Sequence, residues 1–325
     1  IKLFYYDLQV KFEKYVTCFA LISLFFIVWQ TLYPYSILHI ANKLDISGMY
    51  NTTRPGSGFT YNNFIIYTTA YRPEYFFQRN AGFCWEPGPF SIYLNIAIFL
   101  NLMRTNKKLK NNFALYILFV ALLTTQSTTG ILAFSLMILY LFYYDFKGKN
   151  KYLYILFFIY IFVYIFFNVD FMYEKIVNLI EGGKNIEDTL QRAWQNKARY
   201  SGGRFGGAYI AWQDLKNYPF FGIGGSSALS YGYLDEGVGV AIISGLSSII
   251  STYGLYGIIF YIFFTFKSSI YLAGKFKSNL KYGLFVIILI SSLSFSLHSQ
   301  VMLFTFIFYA AFVDENMKQI KQKSY

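Results

Sequence analysis

The stretch FALYILFVALLTTQSTTGILAFSLMILYLFYY, residues 113–144, is apolar on both sides of a polar middle, TTQSTT at 124–129. A helix crosses the hydrocarbon core of a bilayer with about 20 apolar residues, so this block is too long for one ordinary span. A second long apolar block, Tyr282–Val313, is interrupted by LHSQ at 297–300. Each block is therefore either one long tilted helix or a hairpin of two short helices.

Basic residues at both ends of each block decide between these alternatives. Lysine and arginine are retained on the cytoplasmic side of a membrane. A single span would place one of its two flanking clusters outside, whereas a hairpin keeps both inside, so we predict two hairpins. The flanking clusters are 104–110 and 147–151 for the first block, and 275–281 and 318–323 for the second.

The remaining apolar runs complete a predicted membrane bundle. Hydrophobic residues make up 56% of the 325 residues and charged residues only 14%, against roughly 25% charged in a soluble domain. We predict an all-α, polytopic transmembrane helical bundle of about eight spans that forms one integral membrane domain, 1–325. The other predicted spans are Tyr15–Tyr33, Gly88–Met103, Tyr152–Asn168 and Val238–Phe266.

The charge distribution gives the predicted orientation. With both chain ends inside, the inner segments hold 17 Lys and Arg and 5 Asp and Glu, whereas the outer segments hold 11 of each. The net charge of +12 is therefore a signal of topology in a bacterial inner membrane, not of nucleic-acid binding. Two large outer loops, 34–87 and 169–237, are expected to carry the chemistry. The chain starts with Ile1 rather than Met, and we expect natural sequence upstream of it.

Arginine is distributed differently from lysine. Only Arg104 lies on the predicted cytoplasmic side. A guanidinium group binds phosphate with two parallel hydrogen bonds, which an ammonium group cannot do. The outer arginines therefore either bind a lipid phosphate or pyrophosphate, which we favour for Arg79 and Arg204, or pair with the outer carboxylates, which we favour for Arg54 and Arg72. The outer arginines are Arg54, Arg72, Arg79, Arg192, Arg199 and Arg204.

The first loop motif is QRNAGFCWEPGPF, residues 78–90. Pro87 and Pro89 are typical of the first turn of a helix, where a missing N–H group costs nothing. Glu86 then lies at the positive end of the helix dipole. Glu86 is either an ordinary helix cap or, together with Arg79, a pair for phosphate binding and proton handling.

The second loop motif is SGGRFGGAYIAWQDLKNYPFFGIGGSS, residues 201–227. We predict a short amphipathic helix between Arg204 and Pro219, with Asp214 on its polar side and Trp212 either in the membrane interface or stacked on a sugar ring. We interpret the glycine-rich end as a turn rather than as a phosphate-binding loop. The predicted apolar stripe consists of Phe205, Ala208, Tyr209, Trp212 and Leu215.

Histidine is scarce, with only His39 and His298 in the chain. No metal-binding cluster is therefore predicted. His298 lies at the tip of the second hairpin, where it is either a hydrogen-bonded structural residue or a functional group. The Ser and Thr residues of TTQSTT are predicted to satisfy backbone carbonyls that are freed at the bend of the first hairpin.

Three segments carry a resemblance to a known family. They are ALLTTQSTTGILAFSLMILYLF at 121–142, RFGGAYIAWQDLKNYPFFGIGGSS from Arg204, and GLYGIIFYIFF at 254–264. Together they resemble the O-antigen polymerase and O-antigen ligase superfamily, the Wzy/WaaL-like integral membrane glycosyltransferases, over a core of residues 113–266. The upstream RNAGFCWEPGPF is similar to segments of polysaccharide polymerases in that group.

The resemblance implies a polymerase that moves a growing glycan from undecaprenyl pyrophosphate to a lipid-linked repeat unit, for O-antigen, capsule or exopolysaccharide. No metal or other cofactor is implied. Arg204 would contact the pyrophosphate, with Arg79 as a second contact. Implied partners are the undecaprenyl-pyrophosphate-linked oligosaccharide, membrane lipids, a chain-length regulator and a flippase.

The proton of the acceptor hydroxyl needs a base, for which we rank Glu86 first, His298 second and Asp214 third. An O-antigen ligase, which transfers glycan to lipid A core, is the main alternative, but a functional His expected in its large outer loop is absent from 169–237. A flippase for the same lipid-linked units, or a non-catalytic membrane protein, is a further alternative. Additional predicted substrate contacts are Arg192, Arg199 and Trp212.

Overall fold

The computed structural model describes residues 2–33, 36–43, 52–53, 60–64, 66–71, 77–145, 152–153, 155–156, 160, 186–201, 203–236 and 238–311. The chain divides into two compact units, 1–135 and 136–325, and each is described by itself. Most of the predicted span Tyr152–Asn168 lies outside the described residues, as do Arg54 and Arg72.

The first unit is built around a buried central helix, α3. Every residue of α3 from Pro87 to Met103 is buried, and the helix packs against α1 and α4. The predicted helix at Gly88–Met103 is therefore confirmed, with a proline at its first turn as expected. The helices of this unit are α1 (Lys2–Leu32), α2 (Ser36–Lys43), α3 (Pro87–Arg104), α4 (Phe113–Thr124) and the first half of α5 (Thr128–Asp145).

A polar network joins α1 to the far end of α3. Glu13 of α1 is almost fully buried, and its carboxylate accepts two hydrogen bonds from Arg104, both at 2.7 Å. Asn101 donates to the same carboxylate at 2.7 Å. Asn112, which caps α4, donates to Asn101 at 2.6 Å. The one arginine on the predicted cytoplasmic side is therefore part of the helix packing.

The region predicted as the first outer loop contains a small antiparallel sheet, a feature that an all-α prediction omits. Its strand order is β1-β2-β3-β4. Tyr67 is buried and donates a hydrogen bond to Gln30 of α1 at 2.8 Å, which fixes the sheet to that helix. The strands are β1 (Thr52–Thr53), β2 (Thr60–Phe64), β3 (Tyr67–Tyr71) and β4 (Arg79–Asn80).

In its described residues, the second unit combines helices α6–α10 with a three-stranded sheet. In the sheet, β7 lies between a parallel partner, β5, and an antiparallel partner, β6. The helices are α6 (Ile186–Gln195), α7 (Gly203–Asn217), α8 (Gly245–Lys275), α9 (Gly283–Ser292) and α10 (Val301–Ile307). The strands are β5 (Arg199–Ser201), β6 (Tyr233–Asp235) and β7 (Val238–Ala241).

The predicted span Val238–Phe266 is wrong at its start. Val238–Ala241 is strand β7, and the helix begins only at Gly245. The strand is apolar because it packs against two helices. Val240 forms a small core with Ile186 and Ala193 of α6 and Ile210 of α7. An apolar run alone does not distinguish a buried strand from a helix start.

Both long apolar blocks are broken at their polar middles, as predicted. α4 ends at Thr124 and α5 begins at Thr128, while a 3-10 turn at Leu297–Ser299 lies between α9 and α10. The 12 residues of α4 and the 10 of α9 rise about 18 and 15 Å, half of a hydrocarbon core of about 30 Å. By length and composition, the described helices that can span a membrane are Leu8–Leu32 and Gly245–Lys275. The count of eight spans stays a prediction.

Helix α8 is itself broken at Gly254, where φ is +64° and ψ is −157°. The break frees backbone groups, and a turn that follows α7 satisfies them. Ile223 and Gly224 donate to the carbonyls of Ser251 and Thr252, both at 2.9 Å. In return, Leu255 and Tyr256 donate to the carbonyls of Pro219 and Phe220, at 2.9 and 3.1 Å. We call these four reciprocal bonds the backbone interlock.

The backbone interlock requires glycine both in the turn after α7 and at the break in α8. A Cβ atom at Gly222 would overlap the Ser251 carbonyl and lie 2.6 Å from the backbone nitrogen of Gly254. Gly222, Gly224 and Gly254 all have φ near +65°, a region that costs other residues roughly 1–2 kcal/mol. The Pro-x-x-Gly-x-Gly pattern is thus confirmed as a turn, and its spacing is set by contact with α8.

A first prediction concerns the Glu13–Arg104 pair. Arg104→Met leaves a buried carboxylate with less compensation, and we expect it to destabilise the protein by about 2 kcal/mol, less than a fully buried pair because Arg104 is partly exposed. Thermal unfolding in detergent measures this, with the exposed Lys108→Met as control. The double variant Glu13→Gln/Arg104→Met should recover part of the loss, and strict additivity of the two changes would contradict the pairing.

A second prediction separates contact from backbone strain in the interlock. Gly224 has the same φ as Gly222, but nothing lies within 4 Å of a Cβ atom placed there. Gly224→Ala should therefore cost only the strain of about 1–2 kcal/mol, whereas Gly222→Ala should cost a further 1–3 kcal/mol, roughly, from overlap with α8. Equal unfolding midpoints for the two variants would show that the turn does not press on α8.

Candidate functional site

Helix α7 occupies the predicted position but presents the opposite face to the protein. Its buried face consists of small residues and one carboxylate: Gly206, Gly207, Ile210, Ala211 and Asp214. The predicted apolar stripe lies largely outside, with Phe205 54% and Trp212 56% exposed. The ammonium group of Lys216 lies 5.6 Å from the centre of the Trp212 ring. Close packing against the strands and α8, rather than hydrophobicity, selects the buried face.

Asp214 is fully buried, so its predicted place on the polar side of the helix is wrong. One carboxylate oxygen accepts from the backbone N–H of Tyr231 at 2.6 Å. The other accepts from the hydroxyls of Ser230 at 2.9 Å and Ser251 at 2.5 Å. Asp214 therefore ties α7 to the loop before β6 and to α8, just ahead of the interlock.

A cavity of about 550 Å³ within the second unit is lined by Ser230 and Ser251, the two serines that donate to this carboxylate. Its walls come from the loop after the interlock turn, from β6 and β7, and from the first turns of α8. Asp235 and Glu236 are exposed and line it, and Asp235 accepts from the backbone N–H of Glu236 at 2.8 Å. The residues that line it with hydroxyl groups are Ser227, Ser230, Tyr233, Ser248, Ser251 and Thr252.

His298 lies on the 3-10 turn between α9 and α10. Its ring packs edge-on against Tyr253 of α8, with centroids 6.3 Å apart, one residue before the break at Gly254. Its Nδ1 atom is buried and has no hydrogen-bond partner among the described residues.

Arg79 lies at the bend of the first hairpin, in the first unit. Its guanidinium donates to the carbonyls of Thr125 and Gln126, both at 3.2 Å. The neighbouring Asn80 donates to Ser23 and Thr124, both at 3.0 Å. Strand β4 thus joins α1 to the end of α4, and a role of Arg79 in phosphate binding stays a prediction.

The hydroxyls of the first bend act as predicted. Thr124 and Thr125 each donate back to a carbonyl in the last turn of α4, at 2.7 Å. Ser127 accepts from the backbone N–H of Gly130 at 3.2 Å. The polar middle of the apolar block therefore satisfies the backbone groups that the bend leaves without helical partners.

Glu86 is the N-cap residue of α3, half-buried, with an extended backbone and no side-chain capping bond. The ordinary capping bond, one of the two alternatives from the sequence, is therefore not made. Glu86 and Arg79 belong to the first unit, whereas His298, Asp214 and Arg204 belong to the second.

The other predicted substrate contacts lie on α6, β5 and α7, which contribute no residue to the described walls of the cavity. Arg204 is the second residue of α7 and is half-buried. Arg192 is exposed on α6, and Arg199 begins β5 opposite Gly239 of β7. The predictions missed Asp235 and Glu236, and also the two serines bound to Asp214. The only available sequence signal was an adjacent acidic pair beside a glycine-rich run.

We predict that Asp214 is a structural residue. Asp214→Asn keeps the shape but leaves hydroxyl donors of Ser230 and Ser251 without their acceptor, and should cost about 1–3 kcal/mol of stability. Thermal unfolding and limited proteolysis at 226–231 measure this, with the exposed Asp188→Asn as control. Loss of transfer activity by more than a hundredfold at unchanged stability would instead identify Asp214 as the proton acceptor.

Comparison with known proteins identifies part of the chain. Residues 113–262, slightly under half of the chain, match the model of the O-antigen ligase family, which confirms the resemblance predicted from the sequence. No curated protein and no solved structure matches the chain. Members of the matched family are membrane glycosyltransferase-like enzymes of ligase or polymerase type. Arg204, Asp214 and all described residues that line the cavity lie within the matched residues, and the segment 113–262 is accordingly similar to the O-antigen ligase family.

Proposed function

We propose that this protein is a polysaccharide polymerase of a bacterial inner membrane, with both chain ends cytoplasmic. It would transfer a growing glycan from undecaprenyl pyrophosphate to a lipid-linked repeat unit at the outer face. The observation that carries this proposal is the arrangement inside the family segment. In that segment, helix α7, which has Arg204 in its first turn, is followed by the turn that the interlock bonds to α8. Helix α8 is apolar, broken at Gly254 and long enough to span a membrane.

The reaction needs charge stabilisation more than covalent chemistry. The acceptor hydroxyl attacks the anomeric carbon of the donor sugar, the bond from that carbon to the pyrophosphate oxygen breaks, and undecaprenyl pyrophosphate leaves. Arg204 neutralises the charge that develops on the leaving group. Tethering of both substrates to lipid supplies part of the positioning.

A base accepts the proton of the acceptor hydroxyl. His298 is the candidate of the second unit, because its buried Nδ1 has no hydrogen-bond partner among the described residues and its ring contacts Tyr253 of α8. Glu86 remains the candidate of the first unit. Asp214 is the weakest of the three, because both its oxygens already accept hydrogen bonds.

The ligase alternative is kept because the matched family is described as O-antigen ligase. Transfer to lipid A core would use the same leaving group and the same arginine. Polymerase is preferred because the second predicted outer loop contains no histidine. The two activities differ in the product that a defective strain accumulates.

A prediction tests Arg204 directly. Arg204→Lys keeps the charge but removes the two-pronged hydrogen bonding, so we expect at least a tenfold loss of long-chain polymer in a strain that lacks the chromosomal gene. Gel separation of envelope glycans measures it, and immunoblotting checks the amount of protein in the membrane. Lys281→Arg, an exposed site on the predicted cytoplasmic side, is the control.

The same strain distinguishes the alternatives. Single repeat units on the core indicate a lost polymerase, whereas a core without glycan indicates a lost ligase. Polymer of normal length and amount in the Arg204→Lys strain would remove Arg204 from the mechanism.

A further inference from the structure

The hydrogen-bonding character of the cavity follows from the carboxylate behind it. A serine hydroxyl has one hydrogen to donate. Ser230 and Ser251 both donate theirs to Asp214, and the Ser230 oxygen already accepts from the backbone N–H of Gly232 at 3.3 Å. Towards a molecule in the cavity, the two serine oxygens can therefore only accept hydrogen bonds, and Ser230 has one lone pair left for this. The buried Asp214 therefore determines that two neutral serine hydroxyls in the cavity wall act as hydrogen-bond acceptors.

The rim adds acceptors of the same kind. Asp235 and Glu236 line the cavity and are exposed, and carboxylates accept charge-assisted hydrogen bonds, the stronger class. The described residues that line the cavity include no lysine or arginine. Against these described walls a phosphate or pyrophosphate would meet like charge at Asp235 and Glu236, whereas a ligand rich in hydroxyl donors would satisfy the acceptors.

The size of the cavity agrees with such a ligand. A volume of about 550 Å³ is within the range of roughly 300–1,000 Å³ that small-molecule sites occupy. The remaining hydroxyls, on Ser227, Ser248 and Thr252, can donate or accept, which suits a sugar whose hydroxyls and ring oxygen present both roles. Tyr233 contributes a ring beside them.

We infer that this cavity is a saccharide-binding subsite, in which the carboxylates of Asp235 and Glu236 and the oxygens of Ser230 and Ser251 accept hydrogen bonds from sugar hydroxyls. The inference rests on the proposed function in one respect: the saccharide is the acceptor end of the lipid-linked repeat unit. The pyrophosphate of the donor is bound elsewhere, by guanidinium groups.

The test is a binding measurement on the full chain in nanodiscs. The probe is the oligosaccharide released by mild acid from the lipid-linked repeat units of the strain that carries the protein, titrated by saturation-transfer NMR. Asp235→Asn/Glu236→Gln should raise the dissociation constant at least tenfold. The matched control is Glu187→Gln/Asp188→Asn, an adjacent exposed acidic pair at the start of α6, which should leave it unchanged.

A second variant and a competitor complete the test. Ser227→Phe, at an exposed lining position, places a ring in the cavity and should also weaken binding at least tenfold while the unfolding midpoint stays at the wild-type value. Inorganic pyrophosphate at millimolar concentration should not displace the oligosaccharide. Displacement by pyrophosphate, or unchanged oligosaccharide binding in both cavity variants, overturns the inference.

Failure of the two proposals can be told apart. If the wild-type protein transfers glycan and the cavity variants bind the probe normally, the subsite is wrong and the proposed function stands. If the wild-type protein transfers no glycan but binds the probe through Asp235 and Glu236, the subsite stands and the enzymatic function is wrong.

Discussion

The backbone interlock between the turn at 219–224 and the break in α8 is the constraint on which the second unit depends. An apolar helix cannot lose its internal hydrogen bonds inside or near a bilayer unless other groups replace them. Here the replacement is reciprocal, since two carbonyls and two N–H groups of α8 are bonded to one turn. The position of α7, the orientation of Ser251 and the wall of the cavity all follow from that contact.

Polar chemistry inside this unit is organised by one carboxylate. Asp214 is reached from α7, from the loop before β6 and from α8, so it links the parts that the interlock aligns. A buried charge is costly unless it is fully hydrogen-bonded. Three donors satisfy that requirement, and the same three donors fix the geometry of the cavity floor.

The sequence predicted where helices begin and turns form better than it predicted which helix face is buried or which residues bind each other. Proline and glycine mark chain ends and turns by their own conformational limits, which is why the start of α3 and the turn after α7 are where they were predicted. The buried face of α7 was misassigned because glycine and alanine bury little area, while close approach of α8 and a bonded aspartate decide the packing. Strand β7 was misassigned because a short apolar run has no period of its own.

Contacts between residues distant in sequence have no local signature at all. Ser251 is 37 residues from Asp214, and nothing in either neighbourhood identifies the other. The acidic pair at Asp235 and Glu236 was likewise unremarkable until strands β6 and β7 placed it at the rim of a cavity. The resemblance to a family located the segment, and the hydrogen bonds gave its side chains their roles.

The Glu13–Arg104 pair has a consequence for biosynthesis. Its partners are separated by 91 residues, which a ribosome takes on the order of 5–20 s to add. During that interval α1 has already been synthesised, but its Glu13 carboxylate cannot yet bind Arg104. The packing of α1 against the end of α3 through this pair can therefore be completed only after both helices have been synthesised.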